Sequence, residues 1–218
     1  MKTRDRILVT SLRLFNEEGE QQTTTLDIAT EMDISPGNLY YHFKGKDQII
    51  AELFEQFEVA VAGTLAAPLD QPLHQREGLV EDNWYFLYVV LEELYQYRFL
   101  YLSLDDILQR YPKLASRFRH LVALKRQALA AIIDSLLDQS LIAAETDQLA
   151  ALVENMALHM TYWLNYDRLL FGERPAEHSI HQGVLQLMSM IAPYLGEDQL
   201  DFYLECEAVY RNMLDELS

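Results

Sequence analysis

Apolar residues recur along this chain mostly at intervals of three and four, the spacing that places them on one face of an α-helix. Over residues 3–19, Ile7, Leu8, Leu12 and Phe15 keep that rhythm, and Gly19 stands where a left-handed residue commonly ends a helix. Thr24 precedes Leu26, Ile28, Ala29 and Met32, with Asp27 three positions on, which predicts a helix over about 25–32 opened by a variant capping box. Asp33 and Ile34 make a brief connection. Ser35-Pro36 then supplies a capping hydroxyl and a proline at the first helical position, opening a short third helix that ends near His42. Lys44-Gly45-Lys46-Asp47 breaks the pattern. A longer amphipathic helix over about 47–62 follows, with Ile49, Ile50, Leu53, Phe54, Phe57 and Val61 on its apolar face.

Residues 63–72, with Pro68 and Pro72, read as an interruption. Beyond them helical patterns run over about 73–98, 103–110, 112–139, 145–171, 178–194 and 198–217, without strand alternation or an internal repeat. The expected fold is all-α. A three-helix unit over 1–46 leads through a connecting helix over 47–62 to a larger helical body over 63–218.

Composition adds constraints. With 218 residues, half of them hydrophobic, and only 8 glycines and 6 prolines, the chain has enough apolar surface to bury a core. No apolar run reaches the length of a membrane span, and the polar start has no secretory signature, so the expected location is the cytoplasm, with no membrane partner. Cys206 is the single cysteine, which excludes an intrachain disulfide and a thiolate zinc site; its place on the apolar face of the last helix predicts a buried structural thiol. The net charge of −17 argues at first against a nucleic-acid partner. Residues 1–50, however, hold six Lys/Arg against eight Asp/Glu, a net of −2, which leaves −15 to the remainder. The acid belongs to the body, and a local patch near the N-terminus stays available for phosphate contact.

Two short helices joined by a tight turn, the second opened by Ser-Pro, form a helix-turn-helix. Leu39 and Phe43 lie four apart and anchor the second helix, which presents Pro36, Gly37, Asn38, Tyr40, Tyr41 and His42. Small residues at its start permit close approach to base edges. Asn38 offers an amide for adenine, and Tyr40, His42 and Lys46 offer donors for phosphates.

Here the chain resembles the TetR family of bacterial repressors. The likeness rests on Leu14-Phe15-x-x-x-Gly19, Thr23-Thr24-x-x-x-Ile28-Ala29 and Ile34-Ser35-Pro36-Gly37-Asn38-Leu39-Tyr40-Tyr41-His42-Phe43-x-x-Lys46, and covers about residues 5–55. The resemblance implies that Thr24, Tyr40, His42 and Lys46 grip phosphates, while Ser35, Gly37, Asn38 and Tyr41 lie in or near the major groove beside Pro36. One departure is visible: Met32-Asp33 replaces the family's usual Ala-Gly in the turn, and Asp tolerates the left-handed conformation at modest cost.

One such reading head covers a half-site, so a homodimer spanning about 34–36 Å of double-stranded operator DNA is expected. Candidates for the dimer interface are Leu152, Met156, Met160 and Trp163 on one body helix and Val184, Leu187, Met188 and Ile191 on the next; the alternative is that these stripes face only their own core. By resemblance, the last two or so long helices form a four-helix bundle with their mates. The aromatic-rich body suits a small apolar or aromatic effector, with Tyr88, Tyr95, Arg98, Asn155, His159 and Tyr162 as polar candidates for the pocket. Effector binding is expected to shift the population toward a form whose two reading heads lose half-site register. Repression rather than activation is family habit.

An enzyme is the rival class, and a helical carboxylate metalloprotein its most plausible form. That requires paired Glu-x-x-His motifs, and none occurs: Glu154 and His159 are five apart, and His178 and His181 stand at a helix start. No phosphate loop, nucleophile elbow or His-Glu-x-x-His is present, so no catalytic residue, cofactor or metal is expected. A helical protein-interaction module without DNA binding is the other alternative, and it leaves the 35–46 string without a purpose.

Overall fold

The computed structural model describes residues 1–70 and 80–216. Its described residues form α-helices joined by short turns, with an isolated bridge between Ile142 and Leu195. The first helices are α1 (Thr3–Glu17), α2 (Thr25–Glu31), α3 (Pro36–His42) and α4 (Lys46–Asp70). Then come α5 (Val80–Gln96), α6 (Arg98–Leu102), α7 (Leu104–Arg110) and α8 (Pro112–Asp138), followed by α9 (Thr146–Phe171), α10 (Ala176–Ile191) and α11 (Glu197–Glu216). A 3-10 turn, Ala192–Tyr194, ends α10 early at Pro193. The segment over 73–79, expected to open α5, lies outside the described residues.

Contacts group the chain into two compact units: Met1–Ala60 with Tyr97–Phe118, and Val61–Gln96 with Arg119–Ser218. In the first unit α1 packs on α2 and α6, and α2 on α3, around buried Ile7, Phe15, Ile28, Leu39 and Phe43. Phe15 meets Phe99 at 5.4 Å between centroids, and Phe57 meets Tyr97, Tyr101 and Phe118 at 5.4, 5.9 and 6.5 Å. Burial pushes the Tyr101 hydroxyl well above the usual phenol range.

Helix α4 corrects the expected stop near residue 62, because it continues through Gly63 and Pro68. Each breaker acts weakly there. Gly63 costs about 1 kcal/mol relative to alanine, whereas Leu65 and Pro68 are buried by the continuation. Pro68 stands two residues before the end at Asp70, so its missing N–H and its crowding of the carbonyl four residues back disturb only the last turn.

In the second unit α10 packs on α5, α9 and α11. Gly183 permits this closeness: a Cβ there would lie 2.7 Å from Trp163 Cε3 and 2.9 Å from Leu91 Cδ1. The stripes expected to face a second subunit are corrected by the burial. Leu152, Met156, Met160, Trp163, Val184, Leu187, Met188 and Ile191 are all at most 4% exposed within a single chain, so they form its own core. The opposite face of α9 carries the open apolar row, in which Leu158, Tyr162, Tyr166 and Leu169 are 44–80% exposed. Cys206 is half-buried rather than buried.

Candidate nucleic-acid interface

Local sequence sets the helix-turn-helix in place. The Asp27 amide donates to Thr24 Oγ1 at 3.2 Å, while the Thr24 amide and hydroxyl donate to the Asp27 carboxylate at 2.8 and 2.7 Å, a closed capping box. These bonds hold the Asp27 carboxyl below its usual range. The Thr24 hydroxyl is therefore already engaged at the exposed start of α2.

At the other end of α2, Asp33 takes φ 52°, as the departure from the usual glycine requires. Its amide donates to the Thr30 carbonyl at 3.1 Å and that of Ile34 to the Ala29 carbonyl at 3.0 Å, a Schellman closure with aspartate in the left-handed position. Ser35 Oγ then accepts the Asn38 amide at 3.2 Å, and Pro36 starts α3.

Helix α3 is divided by face. Leu39 is fully buried, and Phe43 just beyond the helix is buried beneath the Arg4 guanidinium at 4.7 Å. Ser35, Pro36, Gly37, Asn38, Tyr40 and Tyr41 are exposed, Tyr41 by 76%. His42 is half-buried and meets the Tyr41 ring edge-on at 5.1 Å. Tyr40 Oη lies 3.5 Å from Thr25 Oγ1, so hydroxyls from α2 and α3 stand side by side. Gly37 has ample room: a Cβ there would meet only Ser35 Oγ, at 3.9 Å. What a glycine at this place leaves open is the approach from outside.

Lys46 does not take the expected role. Its ammonium donates to the carbonyls of Glu20 and Thr23 at 2.7 and 3.1 Å and lies 2.9 Å from Glu20 Oε1, so its three protons are directed into the protein and not toward phosphate. An exposed cation beside α3 is Lys44. Its ammonium donates to the Tyr40 carbonyl at 3.1 Å, capping α3, and keeps its charge at the surface. A basic residue in the first turn after a recognition helix is the signal that marks it.

The six body residues expected to line one pocket do not converge. Asn155, His159 and Tyr162 share an open groove of about 380 Å³ with Leu158, Trp163, Tyr166 and Met190. Burial pushes the His159 imidazole down to about 4, against the opposing effect of the Gly183 main chain. Tyr88 instead packs against the His181 ring at 5.3 Å, Tyr95 is near the end of α5, and Arg98 begins α6 in the first unit. Among the described residues, no three His, Cys, Asp or Glu side chains gather as a metal site, and no helix is long and apolar enough to cross a membrane.

Two family models match in tandem: that of bacterial regulatory proteins of the tetR family over residues 7–53, and that of the TetR bacterial transcriptional repressors over residues 56–203. The chain belongs to the TetR family. A TetR-family transcriptional regulator from Marinobacter aquaeolei VT8 is 34% identical, superposes with a TM-score of 0.83, and covers 96% of this chain and 99% of its own. The transcriptional repressor KstR2 of Mycolicibacterium smegmatis is 35% identical over 79 residues, 35% of this chain; the chain spans only 38% of that relative's length. The complex of SmeT with triclosan, at 17% identity and a TM-score of 0.61 over 89% of this chain and 92% of that one, shares the fold. TetR proteins are DNA-binding transcriptional regulators and not enzymes, and the surface on α2 and α3 occupies the part of the chain that the tetR regulatory model covers.

Proposed function

We propose that this TetR protein is a cytoplasmic homodimeric repressor that binds double-stranded operator DNA through α2 and α3 and leaves it on binding a small apolar or aromatic effector. The observation that carries the reading is the division of α3. Leu39 and Phe43 hold it down and Ser35 caps it, while Gly37 and the side chains of Asn38, Tyr40 and Tyr41 stand exposed at the surface beside it. Asn38 supplies a base-reading amide, and Tyr40, Thr25 and Lys44 supply donors for flanking phosphates. Residues 1–46 act as the reading head, α4, which runs on to Asp70, as the connecting helix, and the larger part of the chain beyond it as the sensing and dimerising body. The second copy docks on the outward row of α9, Leu158, Tyr162, Tyr166 and Leu169, in place of the buried stripe. The side chains of that row are uncharged in a chain of net −17, where like-charged copies otherwise repel.

SmeT is described in complex with triclosan and KstR2 of Mycobacterium tuberculosis as a ketosteroid regulator, both ring-bearing apolar compounds. These support an effector of that class here. A gel shift on the DNA upstream of the chain's own gene, at several salt concentrations, tests the DNA reading. Log affinity is expected to fall linearly with log salt, and triclosan or a ketosteroid serves as a release probe. Absent or salt-independent binding overturns the reading in favour of an interaction module.

A further inference from the structure

One carboxylate in the first unit is buried with more partners than any local role requires. Glu20 lies in the α1–α2 turn, 1% exposed, four residues before the Thr24 cap. Its Oε1 accepts the Tyr111 hydroxyl at 3.0 Å and lies 2.9 Å from the Lys46 ammonium. The Arg110 guanidinium rests against Oε2 as an ion pair rather than as a well-directed hydrogen bond. Burial works to raise the Glu20 carboxyl, but Arg110, Lys46 and Tyr111 outweigh it and hold it below the usual range. Beside it, Gln21 donates to Asp106, which also receives Arg110 at 2.5 Å.

The positions of these partners matter more than their number. Lys46 is the first residue of α4, and Arg110 and Tyr111 stand immediately before α8 begins at Pro112. Helices α4 and α8 each have residues in both compact units, so they are two of the three covalent routes by which a change in the second unit reaches the first, the third being the Gln96–Tyr97 link. Glu20 ties the ends of both to the turn that starts the helix-turn-helix. An acidic side chain this buried is costly unless each oxygen is matched, and breaking such a set leaves uncompensated charge.

We infer that Glu20 is a positioning residue for operator binding, fastening the reading head to the first residue of α4 and to the junction that opens α8. The inference rests on the DNA-binding reading above. Movement at either helix end pulls on the α1–α2 turn through this carboxylate, and with it on Thr24 and α2. Lys46 and Arg110 act through Glu20 and not on phosphate.

The test uses the full chain, as wild type, Glu20→Gln and Tyr111→Phe, with a duplex selected by the wild-type protein from a random-sequence pool. Binding is measured at temperatures where circular dichroism shows every variant folded, so that stability differences do not enter. In parallel, spin labels on Val9→Cys in a Cys206→Ser background report the distance between the two heads of the free dimer. Glu20→Gln is expected to weaken operator binding about tenfold and Tyr111→Phe about threefold, with the log–log salt slope unchanged because no phosphate contact is lost. The inter-head distance distribution is expected to broaden in both. A role confined to stability leaves affinity and distance at wild-type values in the folded variants, and that result overturns the inference, as does a salt slope that falls by about one per head. Failure of wild type to select any duplex sinks the DNA reading instead, while the label distances still decide whether Glu20 fixes the head.

Discussion

Lys125 occupies a position in the apolar stripe of α8, between Leu121 and Leu129, and is completely buried. Its ammonium lies 3.4 Å from the Met160 carbonyl of α9, and burial pushes it down from 10.5 to about 7. At about 1.4 kcal/mol per pH unit, that displacement means that carrying the charged form inside the fold at neutral pH costs about 5 kcal/mol. Between pH 7 and 10.5 the unfolded chain binds this proton and the folded chain does not. Stability therefore rises with pH across that window, and the full cost persists below it. Methionine matches the length of the side chain without the charge, giving up a hydrogen bond worth about 1 kcal/mol. Lys125→Met is thus expected to stabilise the protein by about 4 kcal/mol at pH 7, a gain that shrinks by about 1.4 kcal/mol per pH unit and vanishes near pH 10. Urea unfolding of wild type and variant at one protein concentration, from pH 7 to 10, measures the difference, and every other titrating group cancels from it. A variant no more stable than wild type at pH 7, with a difference flat in pH, would refute the reasoning.

Three further outcomes follow from the same geometry. Gly37→Ala has room in the folded chain and gains up to about 1 kcal/mol of helix propensity, yet is expected to lose about tenfold in operator affinity because the added methyl meets the base edges; a thermal melt and a gel shift read the two effects separately, and unchanged binding would place α3 outside the groove. Gly183→Ala drives a methyl into Trp163 and Leu91 and is expected to cost about 2 kcal/mol, seen as a melting temperature lower by about 5 °C; a melt equal to wild type would show that α9 and α10 can part freely. Leu158→Arg, on an exposed position, should leave the melt of the individual chain intact but shift sedimentation toward monomer, and a variant as dimeric as wild type would remove α9's outward row as the interface.

The helix-turn-helix was legible because its determinants are local. A threonine cap with its aspartate, an aspartate in the left-handed turn position and a serine-proline start each act within four residues, and each is found in that role. Lys46 was misread because its partner is 26 residues away in sequence, and the other cation on that partner, Arg110, is 90 positions from Glu20; no spacing rule reaches so far. The body was misread for a different reason. A 3.6-residue period reports that a face is apolar but not what covers it, and α9 has two such faces, one packed in its own chain and one open. The inner row is the more continuous, so pattern alone selects it. Helix α4 outran its breakers because Gly63 costs only about 1 kcal/mol, less than the burial of Leu65 returns, and Pro68 falls in the last turn and is itself buried.

The acidity that seemed to oppose DNA binding has a structural resolution in the first unit. Glu17 and Glu31 bracket Arg13, Glu52 holds Arg4, Glu20 holds Lys46 and Arg110, and Asp27 closes the α2 cap. Acids at these places are matched within the fold and add little repulsion toward a phosphate backbone. The same pairing also withdraws Arg4, Arg13 and Lys46 from service as phosphate grips. On the function proposed above, the hold on DNA falls on the hydroxyls of Thr25 and Tyr40, on main-chain amides and on Lys44, so the fall of log affinity with log salt is expected to be shallow. A reading head built this way gains little from charge alone. It must rely on the fit of α3 in its groove and on the second head, which is why a lost cross-link at Glu20 or a lost contact on α9 should weaken it more than a lost surface cation.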